Sequence, residues 1–448
     1  MSTSVMWFRR DLRLADNPAL NAAVQAGDDV VPVVVLDPHL SETYGPGWMA
    51  FLYGCLRDLD ESMDGRLVVR SGSPVRAIPE LAKEVDATKI FCTEDFMPYG
   101  RRRDDEVAQA LVQNGMVLER VDSPYAVAPG SILKTNATPY RVFTPYLRAW
   151  ESHGAGLPGP APTDPQWAKA ESETVPPDPA FDGSLPAPGE RAALRQVAGW
   201  VDSDADDYGA HRNDPGSDAT SRMSPYLRFG CIHPRQILDG LSSSSGAQKY
   251  RSEVAWRDFY ADVLFHNPES LERPLQPQMS NMAVDEGVDA DRRFDAWSQG
   301  RTGYPLVDAG MRQLLGQAWV HNRVRMIVAS FLVKDLHLDW TRGARWFEKH
   351  LVDADPASNT HGWQWVAGTG TDPSPYYRIF NPVTQAKKFD PDGVYVRRWV
   401  PELSEIADGF IHEPWKSPNG VPTGYVEPIV DHARERTEAL RRYSEVRS

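Results

Sequence analysis

Five short runs rich in β-branched residues, interleaved with helical patterns, fill the chain up to Val121 and leave it few folds to choose from. The runs are Val5–Phe8, Val30–Leu36, Leu67–Arg70, Lys89–Thr93 and Met116–Val121. Between them lie apolar residues at helical spacing over Asn17–Ala26, Trp48–Met63, Val75–Val85 and Arg102–Gln113. Strands that alternate with helices in this way pair in parallel, with the helices covering both faces of the sheet. A doubly wound, Rossmann-like α/β domain over residues 1–128 is therefore expected. No GxGxxG follows the first strand, so the dinucleotide fingerprint is absent. The loop FRRDLRLADNP after that strand reads in two ways. It is either a solvated turn, with Asp16 or Asn17 capping a helix that starts at Pro18, or a contact to another domain.

Composition changes after Ala128. Pro and Gly dominate LPGPAPTDPQW and VPPDPAFDGSLPAPG, which marks residues 129–191 as a connector laid over the surface. Within it the aromatic-rich Pro139–Trp150 is expected to be ordered. From Ala192 onward the periodicity is helical, so residues 192–448 form an all-α unit.

In this second unit, YRSEVAWRDFYADVLF puts Glu253, Trp256, Arg257 and Tyr260 on one helix face. A helix through Trp319 to Asp335 puts Trp319, Asn322, Arg323, Met326 and Ser330 on one stripe, with Val324, Ile327, Val328 and Phe331 on the core side. A Trp and Met stripe is most often core. Here it also carries an amide and a guanidinium, the groups that stack on and hydrogen-bond a flat heteroaromatic ligand. Downstream come Asp353 and Asp355, then Asn359, Trp363 and Trp365. Carboxylates are buried only when paired, and Arg325 and Arg257 are the expected partners. Thr220, Ser221 and Ser224 precede a predicted helix, a start that can hold phosphate, although Ser and Thr there are usually caps.

The motifs HNRVRM, DADPASN, GWQWVAGTGTD and YYRIFNP, with MWFRRDLRLADNPAL at the start and HEPW near the end, closely resemble the DNA photolyase/cryptochrome family over nearly the whole chain. The likeness is greatest to class I photolyases that repair cyclobutane pyrimidine dimers. The resemblance implies that the all-α unit binds FAD. Tyr208, Thr220, Ser221, Arg222, Met223, Ser224, Arg257, Trp319, Arg325, Asp353, Ala354, Asp355 and Asn359 match its cofactor positions. Glu253, Trp256, Asn322, Met326 and Trp365 match the lesion-contacting positions. Arg212, Arg257, Arg323, Arg378 and Gln385 match the DNA-facing side, Arg257 thus serving both sets. The implied activity is light-driven repair by an electron from reduced FAD, with no metal, and with Glu253 protonated when it stabilises the dimer anion. The implied partner is DNA holding pyrimidine dimers, bound by a monomer. A cryptochrome-like blue-light sensor is the alternative, and the absence of a long tail after HEPW weighs against it. Repair of (6-4) photoproducts is disfavoured because those enzymes place histidines near the positions of Asn322 and Met326.

Two departures from the family stand out. Trp363 and Trp340 match the inner two of its three electron-relaying tryptophans, but Gly287 occupies the outer position, with Trp297 and Trp319 as candidate substitutes. Trp48 and Met97 replace the deazaflavin-type Arg and acid, and the folate pattern near Tyr99 and Gly100 is missing. A weak, unusual or absent antenna chromophore follows, with Trp48 filling its pocket. The formal charge of -14 argues against nucleic acid unless a local basic patch exists. The 3 Cys lack metal or disulfide spacing, and neither an apolar span nor a signal-like start is present, so a cytoplasmic protein is expected.

Overall fold

The computed structural model describes residues 2–371 and 377–447. Asp372 and Tyr376, at the ends of two quoted motifs, lie outside them. Strands β1 (Thr3–Phe8), β2 (Asp29–Leu36), β3 (Val68–Ser71), β4 (Lys89–Thr93) and β5 (Val117–Val121) form one parallel sheet in the order β3-β2-β1-β4-β5. Successive side chains point to opposite faces. Val5, Trp7, Val31 and Val33 pack on one side, while Met6, Phe8, Val30 and Val34 join the core on the other. Both faces of the central strands are covered, so β1 and β2 read as nearly unbroken apolar runs. Helices α1 (Pro18–Ala26), α2 (Pro38–Thr43), α3 (Pro46–Glu61), α4 (Pro74–Glu84) and α5 (Pro98–Val112) complete this unit. The six-residue α2 is too short for periodicity to have marked it.

The FRRDLRLADNP loop caps the next helix and makes the domain contact, but it is not a solvated turn, since Asp11, Arg13 and Asp16 are buried. Asn17 caps α1, accepting from the Leu20 N–H at 3.1 Å, and Pro18 is the first helical residue. The same loop is also a domain contact. Leu12 N–H donates to Phe229 O, Arg13 Nη1 to Gly230 O, and Arg10 Nη2 meets Asp355 Oδ2 at 2.8 Å. Gly230 is required there: its φ is +67°, and a Cβ would lie 1.9 Å from the Arg10 carbonyl oxygen.

The connector is ordered where it is aromatic. Helix α6 (Phe143–His153) packs on the helical unit, and Trp150 Nε1 donates to the buried Asp258 at 2.9 Å. Its later part runs along the sheet, with a bridge from Trp167 to Val30. The helical unit holds α7 (Glu190–Ser203), α8 (Tyr208–His211), α9 (Ser224–Phe229), α10 (Pro234–Asp239), α11 (Ser245–His266), α12 (Val288–Ser298) and α13 (Pro305–Gln317). It continues with α14 (Asn322–Lys334), α15 (Trp340–His350), α16 (Pro356–Ala367), α17 (Pro382–Phe389), α18 (Val394–Trp399) and α19 (His432–Arg447). No described helix is long and apolar enough to cross a membrane.

The expected helix from Trp319 starts later, at Asn322. His321 caps it by accepting from the Arg323 N–H, and Ala318 ends α13 in the left-handed region at φ 48°. Trp319 therefore sits on the turn between the helices rather than on the stripe. Val324, Ile327, Val328 and Phe331 are buried as expected.

Removing one partner of a buried ion pair leaves the other charge uncompensated, at about 3–5 kcal/mol. Arg10→Met is expected to lower unfolding stability by about 3 kcal/mol in denaturant titration, and Arg10→Met/Asp355→Asn to regain part of it. Equal stability of Arg10→Met and the parent would contradict the role of this contact.

Candidate functional site

A cavity of about 530 Å³ opens among α8, α9, α11, α14 and α16, within the size range of cofactor sites. All five lesion-matching residues line it: Glu253 and Trp256 from α11, Asn322 and Met326 from α14, and Trp365 from α16. All thirteen cofactor-matching residues from Tyr208 to Asn359 line it too, as do Arg212 and Arg323. Arg378 stands beside it, its guanidinium 5.8 Å from the Trp365 ring. Gln385 on α17 and Trp340 at the start of α15 are not on its wall.

Asp355 seats helix α16. The Asp355 side chain accepts from the Ser358 N–H at 3.0 Å, capping the helix that presents Asn359, Trp363 and Trp365. Asp355 is buried, and burial alone would raise its pKa. The charges of Arg10, Arg257 and Arg228, with the Ser358 N–H, outweigh that and hold it at about 2. The stability this carboxylate contributes is complete above the ordinary carboxyl range near pH 4. It is lost as the pH falls towards 2.

The expected carboxylate partners are half right. Arg325 Nη2 meets Asp353 Oδ2 at 2.7 Å. The partner of Asp355 is Arg10, from the other unit, rather than Arg257. Arg257 instead donates to the carbonyls of Pro124 and Leu227, and its guanidinium lies 4.4 Å over Tyr125. Asp353 Oδ1 is buried without a partner. A buried acceptor needs a donor, and an N–H of a heteroaromatic ligand would satisfy it.

On the phosphate-like side, Met223 rather than a Ser or Thr precedes α9, and Ser221 Oγ pairs with the Tyr250 hydroxyl at 2.8 Å. Arg222 takes the uncommon left-handed conformation at φ 51°, with its guanidinium 4.6 Å over Trp319. Trp319 Nε1 points to Ser224 Oγ at 3.3 Å. Trp319 thus belongs to this side of the cavity. Trp297 is fully buried and meets Trp363 edge-on at 6.1 Å.

Glu253 is ion-paired with Arg212, whose guanidinium also lies over Tyr208. Arg323 is held by Asn213 Oδ1 at 2.8 Å and lies over Phe389. Arg212 and Arg323, two of the arginines that match the DNA-facing side, therefore have partners within the protein.

Phe143 went unrecognised in the sequence as a site residue. From the connector helix α6 it stacks flat on Trp256, with centroids 3.7 Å apart and planes 12° apart. The only signal was the aromatic density of Pro139–Trp150.

A second cavity of about 700 Å³ lies at the carboxyl ends of β1 and β4, where the strand order reverses and ligands of open α/β sheets bind. Trp48 does not fill it. Its ring lies flat against Tyr44 at 4.1 Å and against Phe229, forming a wall. Arg228 and Asn359 border both cavities.

Residues 4–166 match the family model described as DNA photolyase, and residues 250–445 match the FAD binding domain of DNA photolyase. The deoxyribodipyrimidine photo-lyase of Agrobacterium fabrum is 40% identical over 99% of this chain and 98% of its own length. The chain belongs to the DNA photolyase family. A solved bacterial class III photolyase from Agrobacterium tumefaciens superposes with a TM-score of 0.93 at 37% identity, covering 100% of this chain and 98% of its own. The class I likeness read from the motifs is therefore not carried forward. A cryptochrome from Synechocystis reaches 0.91 at 29% identity, covering 98% of this chain and 99% of its own. This photolyase-family chain carries an FAD-binding domain, and the unpaired Asp353 Oδ1 beside Arg325 suits that cofactor.

Stacked aromatic pairs couple by about 1 kcal/mol beyond their buried area. In a double-mutant cycle on denaturation, Phe143→Ala and Trp256→Ala are expected to show a coupling of about 1 kcal/mol. Strict additivity would show that the stack does not hold Trp256.

Proposed function

We propose that the protein repairs cyclobutane pyrimidine dimers in DNA under blue light. The observation that carries this reading is the convergence of five lesion-matching residues, from three helices, on the cavity lined by the cofactor-matching residues. Bound in its reduced form, FAD supplies the photoexcited electron that opens the cyclobutane ring and then takes it back. The chain's own residues do the rest.

A damaged, poorly stacked dimer costs less to flip out than a normal pair. Trp256, Trp365 and Met326 give it an apolar wall, with Phe143 backing Trp256. Asn322 and Glu253 face it with polar groups that suit the carbonyl and N–H edges of the bases. Arg212, Arg323 and Arg378 bind phosphate without reading sequence, which provides the local positive charge that an acidic body lacks. Engaging DNA then means exchanging the Glu253 and Asn213 contacts of two of them. Asn359, Asp353 and Asp355 hold and tune the cofactor. Trp363 and Trp340 pass electrons inward to keep it reduced. The protein works as a monomer in the cytoplasm, where its three cysteines, all free, stay reduced.

Similarity to a cryptochrome leaves a sensor as the second reading. The two differ in whether dimer DNA is preferred. Base stacking on an aromatic ring is worth about 2 kcal/mol, some thirtyfold in Kd. Trp256→Ala is expected to lose about that factor for an oligonucleotide holding one thymine dimer, and little for the undamaged strand. Equal affinity of the parent for both strands would favour the sensor.

A further inference from the structure

Ser330 shares the expected stripe of α14 with Asn322 and Met326, but it does not line the cavity and is fully buried. Its Oγ accepts instead from the Phe380 N–H at 3.4 Å. One turn further along α14, Lys334 is buried too, and its Nζ donates to the Arg378 carbonyl. Lysine is almost never buried unless a partner offsets its lost hydration. Here two buried side chains on one face of α14 grip the backbone of residues 378–380.

The Tyr377 ring beside them is held by three elements. The Lys334 ammonium lies 4.2 Å from its centroid. Tyr443 of α19 stacks flat on it, with centroids 4.1 Å apart and planes 10° apart. It also abuts Gly368 at the end of α16, where a Cβ would sit 3.0 Å from the ring. Arg378, the next residue, is exposed and brings its guanidinium to 5.8 Å from the Trp365 ring. Helix α19 adds little to the core, since Ala439 is the one buried residue among its apolar ones. Polar pairs set its place: His432 with Asp335 at 2.5 Å, Glu435 with His337 at 2.8 Å, and Arg442 with Asp285 at 2.7 Å. Directional contacts of this kind fix where Tyr443 meets Tyr377.

We propose that Tyr443, Lys334 and Ser330 are positioning residues that hold Arg378 at the rim of the cavity, ready for a DNA phosphate. The inference rests on the DNA-facing reading of Arg378 given above. A long exposed side chain gives up rotamer freedom when it binds. Fixing its backbone limits where the guanidinium can go, so less freedom is lost on contact.

The test is binding of the FAD-loaded protein to a fluorescent single strand holding one thymine dimer, over a series of salt concentrations. Arg378→Ala is expected to weaken binding about tenfold and to reduce the slope of log Kd against log salt by about one. Tyr443→Ala is expected to reproduce most of both effects with the bound-flavin absorbance unchanged, and Tyr443→Phe, which keeps the stack, to restore them. Arg378→Ala/Tyr443→Ala is expected to bind no more weakly than Arg378→Ala. Ser330→Ala reaches the same segment from another helix and is expected to act in the same direction, so a folding defect in one variant leaves the other to decide. Parent-like affinity and slope in both Tyr443→Ala and Ser330→Ala would overturn the positioning role while Arg378 keeps its phosphate. A loss in the double variant equal to the two single losses added together would do the same. Parent-like binding by Arg378→Ala would instead remove Arg378 from the DNA-facing set, and this inference with it.

Discussion

The buried carboxylate of Asp355 is the point on which both units depend. It caps α16 through the Ser358 N–H and takes Arg10 from the β1 loop as its ion-pair partner. A buried charge of this kind is tolerated only when it is paired and hydrogen-bonded. The same contact therefore fixes the packing of the α/β unit and the direction of the helix that carries Asn359, Trp363 and Trp365. Gly230 permits the close approach by leaving room for the Arg10 carbonyl. The two cavities meet at Arg228 and Asn359 for the same reason.

Local physics was legible in the sequence, and long-range pairing was not. The strands and main helices of the first unit follow from period and turn chemistry, so β1 to β5 fall within a residue or two of the runs read from sequence. The core face of α14 was legible in the same way. Its start was not, because capping by His321 competes with an apolar pattern that begins earlier, at Trp319. The Arg10–Asp355 pair joins residues far apart in the chain, and no spacing rule reaches that distance. Phe143 was hidden for the same reason, since its partner Trp256 lies in another segment. Trp48 was misjudged because its residue type gives its volume but not its orientation against Tyr44.

The site also shows how an acidic protein can face a polyanion. Arg212 and Arg323 are kept in place by Glu253 and Asn213. Held so, their side chains lose less conformational freedom on binding than solvated ones. Under the proposed function DNA displaces these partners, which ties phosphate contact to the Arg212–Glu253 pair. The same Glu253 lines the cavity, so under the proposed function charge on the rim and chemistry in the cavity are linked through a single carboxylate.

The central claim is that one cavity serves both the cofactor and the damaged bases. Its most direct test is repair itself: reduced, FAD-loaded protein with a short single strand holding one thymine dimer, illuminated with blue light while the ultraviolet absorbance of intact thymine is followed. The account predicts recovery in the light, none in the dark, and slower recovery in Glu253→Ala. No recovery in the light, with reduced FAD shown to be bound, would contradict it.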